Sequence, residues 1–146
     1  ARNSHQHSRV FQKISLMSKA SNAGLRGRTR FKRTNTMTET RAMWTYYKSE
    51  WREGDVRILG AASHATWLGS LVFDGARLFE GVTPDLDLHA ARANDSTRAL
   101  GLAPTLSGND IEALAREGLK KFAPDTDVYI RPMYWAEDGD ASTVAA

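Results

Sequence analysis

The chain has 146 residues, the length of one ordinary domain. Hydrophobic residues make up 41% and charged residues 25%, which excludes a wholly disordered or collagen-like chain. The absence of cysteine excludes disulfides, thiolate metal sites and thiol nucleophiles. No uncharged apolar run approaches the ~18 residues that span a bilayer, so we predict no transmembrane helix and no membrane partner.

The net charge of +3 is an average over two unlike segments. Residues 1–36 contain nine of the 20 Lys and Arg residues and no acidic residue, whereas residues 37–146 contain all 17 Asp and Glu residues. A charge step of this size predicts a boundary in the chain. We therefore expect a basic arm over residues 1–36, disordered or non-native, and a folded domain over residues 37–146.

Three interpretations of the arm remain open. Its Arg-rich, Ser-rich and acid-free composition is typical of a transit peptide, and its charge also suits an anionic partner. A methionine, Met37, follows directly after the basic segment and could be the native start of the chain. Residues 1–36 can therefore also be sequence outside the native coding region. We expect a cytoplasmic location, or a mitochondrial one where the arm is a native transit peptide. Only Phe11 and Phe31 of the arm are aromatic, so we expect no nucleic-acid partner.

The first half of the domain is typical of strands, because short aromatic and aliphatic runs alternate with turn residues. We predict strands over Met43–Tyr47, Val56–Leu59, Ser70–Phe73 and Ala76–Glu80. After a turn over Gly81–Asp85, we expect Leu86–Leu88 to complete a hairpin with the preceding strand.

The second half is typical of two helices and a strand. We predict helices over His89–Leu100 and Asn109–Phe122, the second with one apolar stripe at helical spacing. Val128–Ala136 is predicted as a buried strand, in which Pro132 favours an edge position or a bulge. The predicted fold class is α/β or α+β, with a mixed twisted sheet and two flanking helices.

Arginines in unusual places are the candidate site residues. The sequence has no Gly-rich phosphate loop, no HExxH metal motif and no G-x-S-x-G elbow, so we expect no metal. Arg92 lies among alanines one helical turn after His89, and a guanidinium binds phosphate with two parallel bonds. Arg77 and Arg131 interrupt apolar strand patterns, where an arginine either meets a carboxylate or faces outward to solvent.

Several motifs occur in a recognisable order: Ser63-His64-Ala65, Gly69–Arg77 (GSLVFDGAR), His89-Ala-Ala-Arg92, and Tyr129-Ile-Arg-Pro132. From about Met43 onward, the chain resembles the N-terminal domain of the class IV, or fold-type IV, pyridoxal-phosphate aminotransferases. That family includes the branched-chain and the D-amino acid aminotransferases. The Tyr-Ile-Arg-Pro strand is most similar to the branched-chain branch.

The resemblance implies pyridoxal 5′-phosphate as cofactor, with an amino acid and a 2-oxo acid as substrates. Arg92 matches the arginine that holds the cofactor phosphate. The residues that match positions on the substrate side are Phe73, Arg77, Tyr129 and Arg131. Because Leu68 and Asp74 depart from the branched-chain pattern, a D-amino acid or amine transaminase stays an alternative to a branched-chain enzyme.

The resemblance also implies a second, larger domain that carries the Schiff-base lysine, which we expect beyond Ala146. The domain lysines Lys48, Lys120 and Lys121 do not match that catalytic position. We therefore expect this chain to be an N-terminal fragment that is inactive alone, from an enzyme that is a homodimer at full length. A non-enzymatic relic that serves as a binding module is the alternative.

Overall fold

The computed structural model describes residues 10–19 and 41–137, which form six strands and three helices. The strands are β1 (Val10–Ser18), β2 (Met43–Tyr47), β3 (Glu50–Glu53), β4 (Leu71–Phe73), β5 (Ala76–Leu78) and β6 (Val128–Ala136). The helices are α1 (His64–Leu68), α2 (Leu86–Ala99) and α3 (Gly108–Leu119).

The six strands form one sheet in the order β3-β2-β1-β6-β4, and β5 also pairs with β6. All pairings among the described strands are antiparallel. The predicted α/β or α+β class with two flanking helices is confirmed, whereas the sheet, predicted as mixed, is antiparallel over the described strands. Strand β6 lies at the centre of these pairings, because it pairs with β1 along one edge and with both β4 and β5 along the other.

Strands β4 and β5 are one strand interrupted at Asp74 and Gly75. Phe73 pairs with Met133 and Ala76 pairs with Ile130, so the register is the same on both sides of the break. Pro132 lies opposite the break, where its carbonyl accepts a hydrogen bond from the Asp74 backbone N–H at 3.1 Å. Pro132 is therefore in a central strand, and its missing N–H falls where the ladder is already interrupted.

Strand β1 lies inside the range that the charge step assigned to a basic arm. It pairs with β2 and β6, and Ile14 and Leu16 are both 0% exposed. The structure thus differs from a disordered arm over Val10–Ser18, because alternating apolar side chains hold this segment in the sheet despite its positive charge. The arm's other residues, Lys19 excepted, lie outside the described residues.

Two strand predictions are wrong. Residues 56–59 have no regular structure, and Leu86–Leu88 begins helix α2 instead of ending a hairpin. Asp85 is the N-cap of α2 in a left-handed conformation, with φ at 51°. The chain therefore turns into the helix directly after the Phe79–Val82 bridge, and Leu86 is buried under the sheet.

The helix and strand bounds are otherwise close to those predicted. Helix α3 begins at a capping box, in which the Ser107 side chain accepts from the Asp110 N–H while the Asp110 carboxylate accepts from the Ser107 N–H. The β2–β3 hairpin turns at Lys48 and Ser49, both with positive φ, as a two-residue turn requires. Helices α2 and α3 pack on one face of the sheet, where Ile14, Leu16 and the helical alanines form the core.

Replacing Leu16 with Ala tests whether β1 is part of the folded domain. The side chain is fully buried against α3 and β6, so we expect the free energy of unfolding to fall by about 2–5 kcal/mol in equilibrium denaturation. Leu88→Ala is the matched control, because that leucine is 61% exposed, and its effect should stay within about 0.5 kcal/mol. Equal stability of the two variants would show that β1 contributes nothing to the core.

Gly118 permits the close packing of α3 on the sheet. A Cβ added there would lie 2.5 Å from a methyl carbon of Leu16 and would overlap the Trp51 ring. Gly118→Ala should therefore lower the free energy of unfolding by about 1–3 kcal/mol, although alanine is the better helix former. Gly108→Ala in the same helix meets only ordinary contacts near 3.6 Å, and should be neutral or stabilising in the same denaturation experiment.

Candidate functional site

The pleat of the sheet separates its two faces. Along β6, Val128, Ile130 and Tyr134 pack against the helices, so Tyr129 and Arg131 project from the opposite face, here called the far face. The register places Arg77 and Phe73 on the far face as well, because Arg77 pairs with Tyr129 and Phe73 pairs with Met133. The four predicted substrate residues therefore share one side of the sheet.

Two side-chain contacts on the far face involve three of these four residues. The Arg131 guanidinium lies over the Phe73 ring, 5.7 Å from its centroid. The Tyr129 ring lies over Gly75, since a Cβ at that glycine would be 2.5 Å from the Tyr129 hydroxyl oxygen. The Arg131 Nε is buried and has no hydrogen-bond partner among the described residues. A buried N–H without a hydrogen-bond partner lowers the stability of the folded chain.

A cavity of about 550 Å³ opens beside the far face, at the end where β6 begins. Arg77 and Tyr129 line it together with three other charged residues and with apolar ones, among them Lys19, Arg41, Asp127, Met17, Leu78 and Phe79. Its volume lies within the range of small-molecule sites, and a guanidinium beside an apolar wall suits a small organic acid. Two of the four predicted substrate residues thus border a space of suitable size.

Lys13 of β1 is a far-face residue that the sequence analysis missed. It pairs with Met133 and so lies diagonally across the ladder from Arg131. Burial lowers the pKa of Lys13, the nearby positive charge of Arg131 lowers it further, and Asp55 acts in the opposite direction. The signal that could have found it is the alternation of polar and apolar residues over Lys13–Leu16, which is typical of a half-buried strand.

The fifth predicted residue, Arg92, belongs to a separate cluster at the break between β4 and β5. Its Nε donates to Asp74 Oδ2 at 2.5 Å and its Nη2 donates to Asp74 Oδ1 at 2.8 Å, as a two-bond ion pair. His89 Nδ1 lies 2.7 Å from Asp74 Oδ1, and the Gly75 N–H donates to the same oxygen at 2.6 Å. Because an ionised carboxylate only accepts, His89 Nδ1 must carry the hydrogen of its bond.

The environment of Asp74 keeps its carboxylate ionised. Burial by itself would raise the pKa of Asp74, but the hydrogen bonds from Arg92, His89 and Gly75 outweigh it and hold the pKa below its usual value. The carboxylate in turn raises the pKa of Arg92, which stays charged. The Asp74 side chain is 6% exposed, whereas the Arg92 side chain is 63% exposed. The buried carboxylate therefore binds one edge of the guanidinium, and the opposite edge faces solvent.

The two clusters lie on opposite sides of the same strand. Phe73 projects from the far face, whereas its neighbour Asp74 projects toward α2 and meets Arg92 there. The structure therefore gathers Phe73, Arg77, Tyr129 and Arg131 but does not bring Arg92 onto their face. The break at Asp74 and Gly75 is the point where the two clusters adjoin.

The other polar residues that the sequence analysis named have structural partners. His64 is buried, with its Nδ1 2.6 Å from the Ser70 hydroxyl. Glu137 accepts from the Ser63 hydroxyl at 2.9 Å and from Trp135 Nε1 at 2.6 Å, which ties the start of α1 to the end of β6. These bonds explain the Ser63-His64 motif as the anchor of a short helix.

Residues 10–19 and 41–137 contain neither a metal-binding group nor a membrane-spanning helix. No group of three histidine or acidic side chains is placed to hold a metal ion. No helix there is long and apolar enough to cross a membrane.

Comparison with known proteins shows what this chain is similar to. The family model described as amino-transferase class IV matches residues 71–146. A solved aminotransferase from Brucella abortus, bound to pyridoxal phosphate, is 92% identical and has a TM-score of 0.68. That match covers 70% of this chain and 37% of the Brucella chain. No curated protein sequence matches.

Two branched-chain aminotransferases share the fold at lower identity. The enzyme of the archaeon Thermoproteus uzoniensis, solved with norvaline, is 20% identical, with a TM-score of 0.57 over 64% of this chain and 33% of its own. The Escherichia coli enzyme is 23% identical, with a TM-score of 0.58 over 65% of this chain and 32% of its own. This chain thus spans about a third of the length of these structures.

The matched segment contains all five predicted site residues and both sides of the Asp74 break. The segment is also more than half of the chain, and the antiparallel sheet with its flanking helices is the fold that the solved relatives share. By these findings the chain belongs to the class IV amino-transferase family.

Proposed function

We propose that this chain is the small, N-terminal part of a pyridoxal-phosphate transaminase that exchanges an amino group between an amino acid and a 2-oxo acid. The observation that carries the proposal is the Asp74–Arg92 ion pair, which presents a charged guanidinium at the surface beside the face of the predicted substrate residues. The family membership and the pyridoxal phosphate in the Brucella structure support it.

The residues present fit a phosphate group at Arg92. Asp74 occupies the Nε and Nη2 side of the guanidinium, which leaves Nη1 without a partner among the described residues. A planar guanidinium whose orientation is already fixed loses little entropy when it binds phosphate. In the proposed enzyme, Arg92 holds the cofactor phosphate, Asp74 orients Arg92, and His89 holds the Asp74 carboxylate in place.

The far face supplies the groups for a substrate. Arg77 and Arg131 offer guanidinium donors to a carboxylate, and the Phe73 and Tyr129 rings offer apolar walls to a side chain. When bound, pyridoxal phosphate supplies the electron sink for amino-group transfer. The role of this chain is therefore to bind and orient the substrate by its carboxylate.

Branched-chain amino acids are the proposed substrates, because apolar rings border the arginines and the Tyr129-Ile-Arg-Pro132 strand is similar to the branched-chain branch. We further propose that the Schiff-base lysine lies beyond Ala146, so that this chain is inactive alone. The full-length enzyme is proposed to be a cytoplasmic homodimer.

Arg92→Met tests whether Arg92 of this chain binds the cofactor phosphate. The wild-type chain should bind pyridoxal 5′-phosphate more tightly than pyridoxal, which lacks the phosphate, in an equilibrium absorbance titration. In the variant, the ratio of the pyridoxal Kd to the pyridoxal 5′-phosphate Kd should fall by about tenfold or more, because a charge-assisted contact to the phosphate is removed.

Arg98→Met is the matched control, because Arg98 lies in the same helix and pairs with Asp95 on the surface. It should bind both ligands as the wild type does. An Arg92→Met variant that keeps the full preference for the phosphorylated ligand would contradict the assignment.

Asp74→Asn tests the ion pair through the pH dependence of stability. Because hydrogen bonds hold the folded-state pKa of Asp74 below its unfolded value of about 3.9, the stability they confer is present above that pH and is lost as the pH falls through the folded-state pKa. At pH 7 the variant should be less stable by about 1–3 kcal/mol, and the difference should shrink below about pH 4.

The measurement is urea denaturation of both proteins between pH 3 and pH 7. Asp95→Asn is the matched control, because that carboxylate is exposed on helix α2, where it forms a salt bridge with Arg98. Its effect should stay below about 1 kcal/mol at every pH. A constant difference between Asp74→Asn and the wild type across the range would argue against an ionised Asp74.

A further inference from the structure

Several hydrogen-bond donors converge on one oxygen of the Asp74 carboxylate. The Gly75 N–H donates to Oδ1 at 2.6 Å, and His89 Nδ1 donates to it at 2.7 Å. Arg92 Nη2 donates to the same oxygen at 2.8 Å, while Arg92 Nε donates to Oδ2. Because the carboxylate is almost completely buried, these four bonds fix its orientation.

The ion pair uses only one edge of the Arg92 guanidinium. A guanidinium has a side edge, formed by Nε and one terminal nitrogen, and an end edge, formed by both terminal nitrogens. Each edge offers two parallel N–H groups to an anion. Asp74 binds the side edge, through Nε and Nη2. The end edge, with one N–H on each of Nη1 and Nη2, therefore stays complete for a second anion.

His89 and Gly75 favour the side edge because both bind the same carboxylate oxygen. The last torsion of an aspartate side chain is broad, so a carboxylate without other partners can turn toward either edge. With Oδ1 fixed by two other donors, Oδ2 is held toward Arg92 Nε. His89 Nδ1 and Arg92 Nη2 lie 2.9 Å apart. Both donate to Oδ1, so no hydrogen bond joins them, and the ring limits where the guanidinium can lie.

We propose that His89 is a positioning residue, which acts through Asp74 to hold the side edge of Arg92 and to keep its end edge free for a phosphate. The inference rests on the phosphate assignment of Arg92 in the proposed function and adds the atom of His89 that matters. Nδ1 carries the hydrogen that Asp74 accepts. Nε2 has no hydrogen-bond partner among the described residues and is not required.

Two substitutions of His89 differ in the position of one N–H group. His89→Asn places an amide nitrogen where Nδ1 lies, so the bond to Asp74 is kept. His89→Gln places its amide nitrogen one bond further along the side chain, near the position of Nε2, so the bond is lost. Both variants are polar and uncharged, and both lack the ring. A difference between them therefore reports on the N–H at the Nδ1 position.

The first measurement needs no ligand. In the ¹⁵N-labelled chain, the Arg92 Nε–H resonance is assigned by its absence from Arg92→Met, and its exchange with water is followed by NMR. An N–H that donates to a buried carboxylate exchanges slowly, so we expect His89→Gln to speed the exchange by about tenfold or more. His89→Asn should speed it by less than about threefold.

The second measurement is the ratio of the pyridoxal Kd to the pyridoxal 5′-phosphate Kd. His89→Gln should lower this ratio by about threefold or more, because the end edge of Arg92 is no longer held toward the ligand, and His89→Asn should keep it near the wild-type value. Leu88→Gln is the matched control for both measurements, because Leu88 precedes His89 in the same helix and is exposed. It should change neither the exchange rate nor the ratio.

Three results would overturn the proposal. The first is a His89→Gln variant that behaves as the wild type, and the second is a His89→Asn variant that is impaired as strongly as His89→Gln. The third is faster exchange with an unchanged ratio, which would make His89 a stabiliser of the ion pair without a role toward the ligand. A wild-type chain without any preference for the phosphorylated ligand would instead contradict the assignment of Arg92, and the exchange rates would still show whether His89 holds the side edge.

Discussion

The alternation of side chains along β6 is the constraint on which the rest of the structure depends. This strand pairs along both edges, so each of its residues is committed to one face of the sheet. Val128 and Ile130 enter the helical core, and Tyr129 and Arg131 must therefore point the other way. A shift of the strand register by one residue would move the core side chains to the far face and the candidate site residues into the core. The packing of the core therefore fixes which residues form the candidate site.

The buried carboxylate of Asp74 connects the sheet to Arg92 on helix α2. Asp74 stands where the β4–β5 ladder is interrupted, and its side chain is too buried to remain ionised without partners. The guanidinium of Arg92, the His89 ring and the Gly75 N–H provide them. The bonds between Asp74 and Arg92 satisfy the carboxylate and also fix the orientation of the guanidinium, so a requirement of stability sets the geometry that the proposed phosphate contact needs.

The two neighbouring cations of the far face, Lys13 and Arg131, destabilise the folded chain. Lys13 and Arg131 lie close together and partly buried, an arrangement that mutual repulsion and desolvation both oppose. The fold tolerates it because Ile14 and Leu16, on the other side of β1, are completely buried. Apolar burial on one face of β1 thus keeps two like charges close together on the other face.

The sequence by itself determined the two long helices, the β2 and β6 strands and the motif order, because these depend on local periodicity, capping residues and short spacings. It also singled out Arg92 and Arg131 as unusual arginines. It did not reveal that Lys13 belongs to the sheet, since the charge of residues 1–36 obscured a short alternating strand. Nor did it pair Asp74 with Arg92, which lie 18 residues apart. Only the tertiary structure decided these, because strand partners and the closure of an ion pair depend on contacts between distant segments.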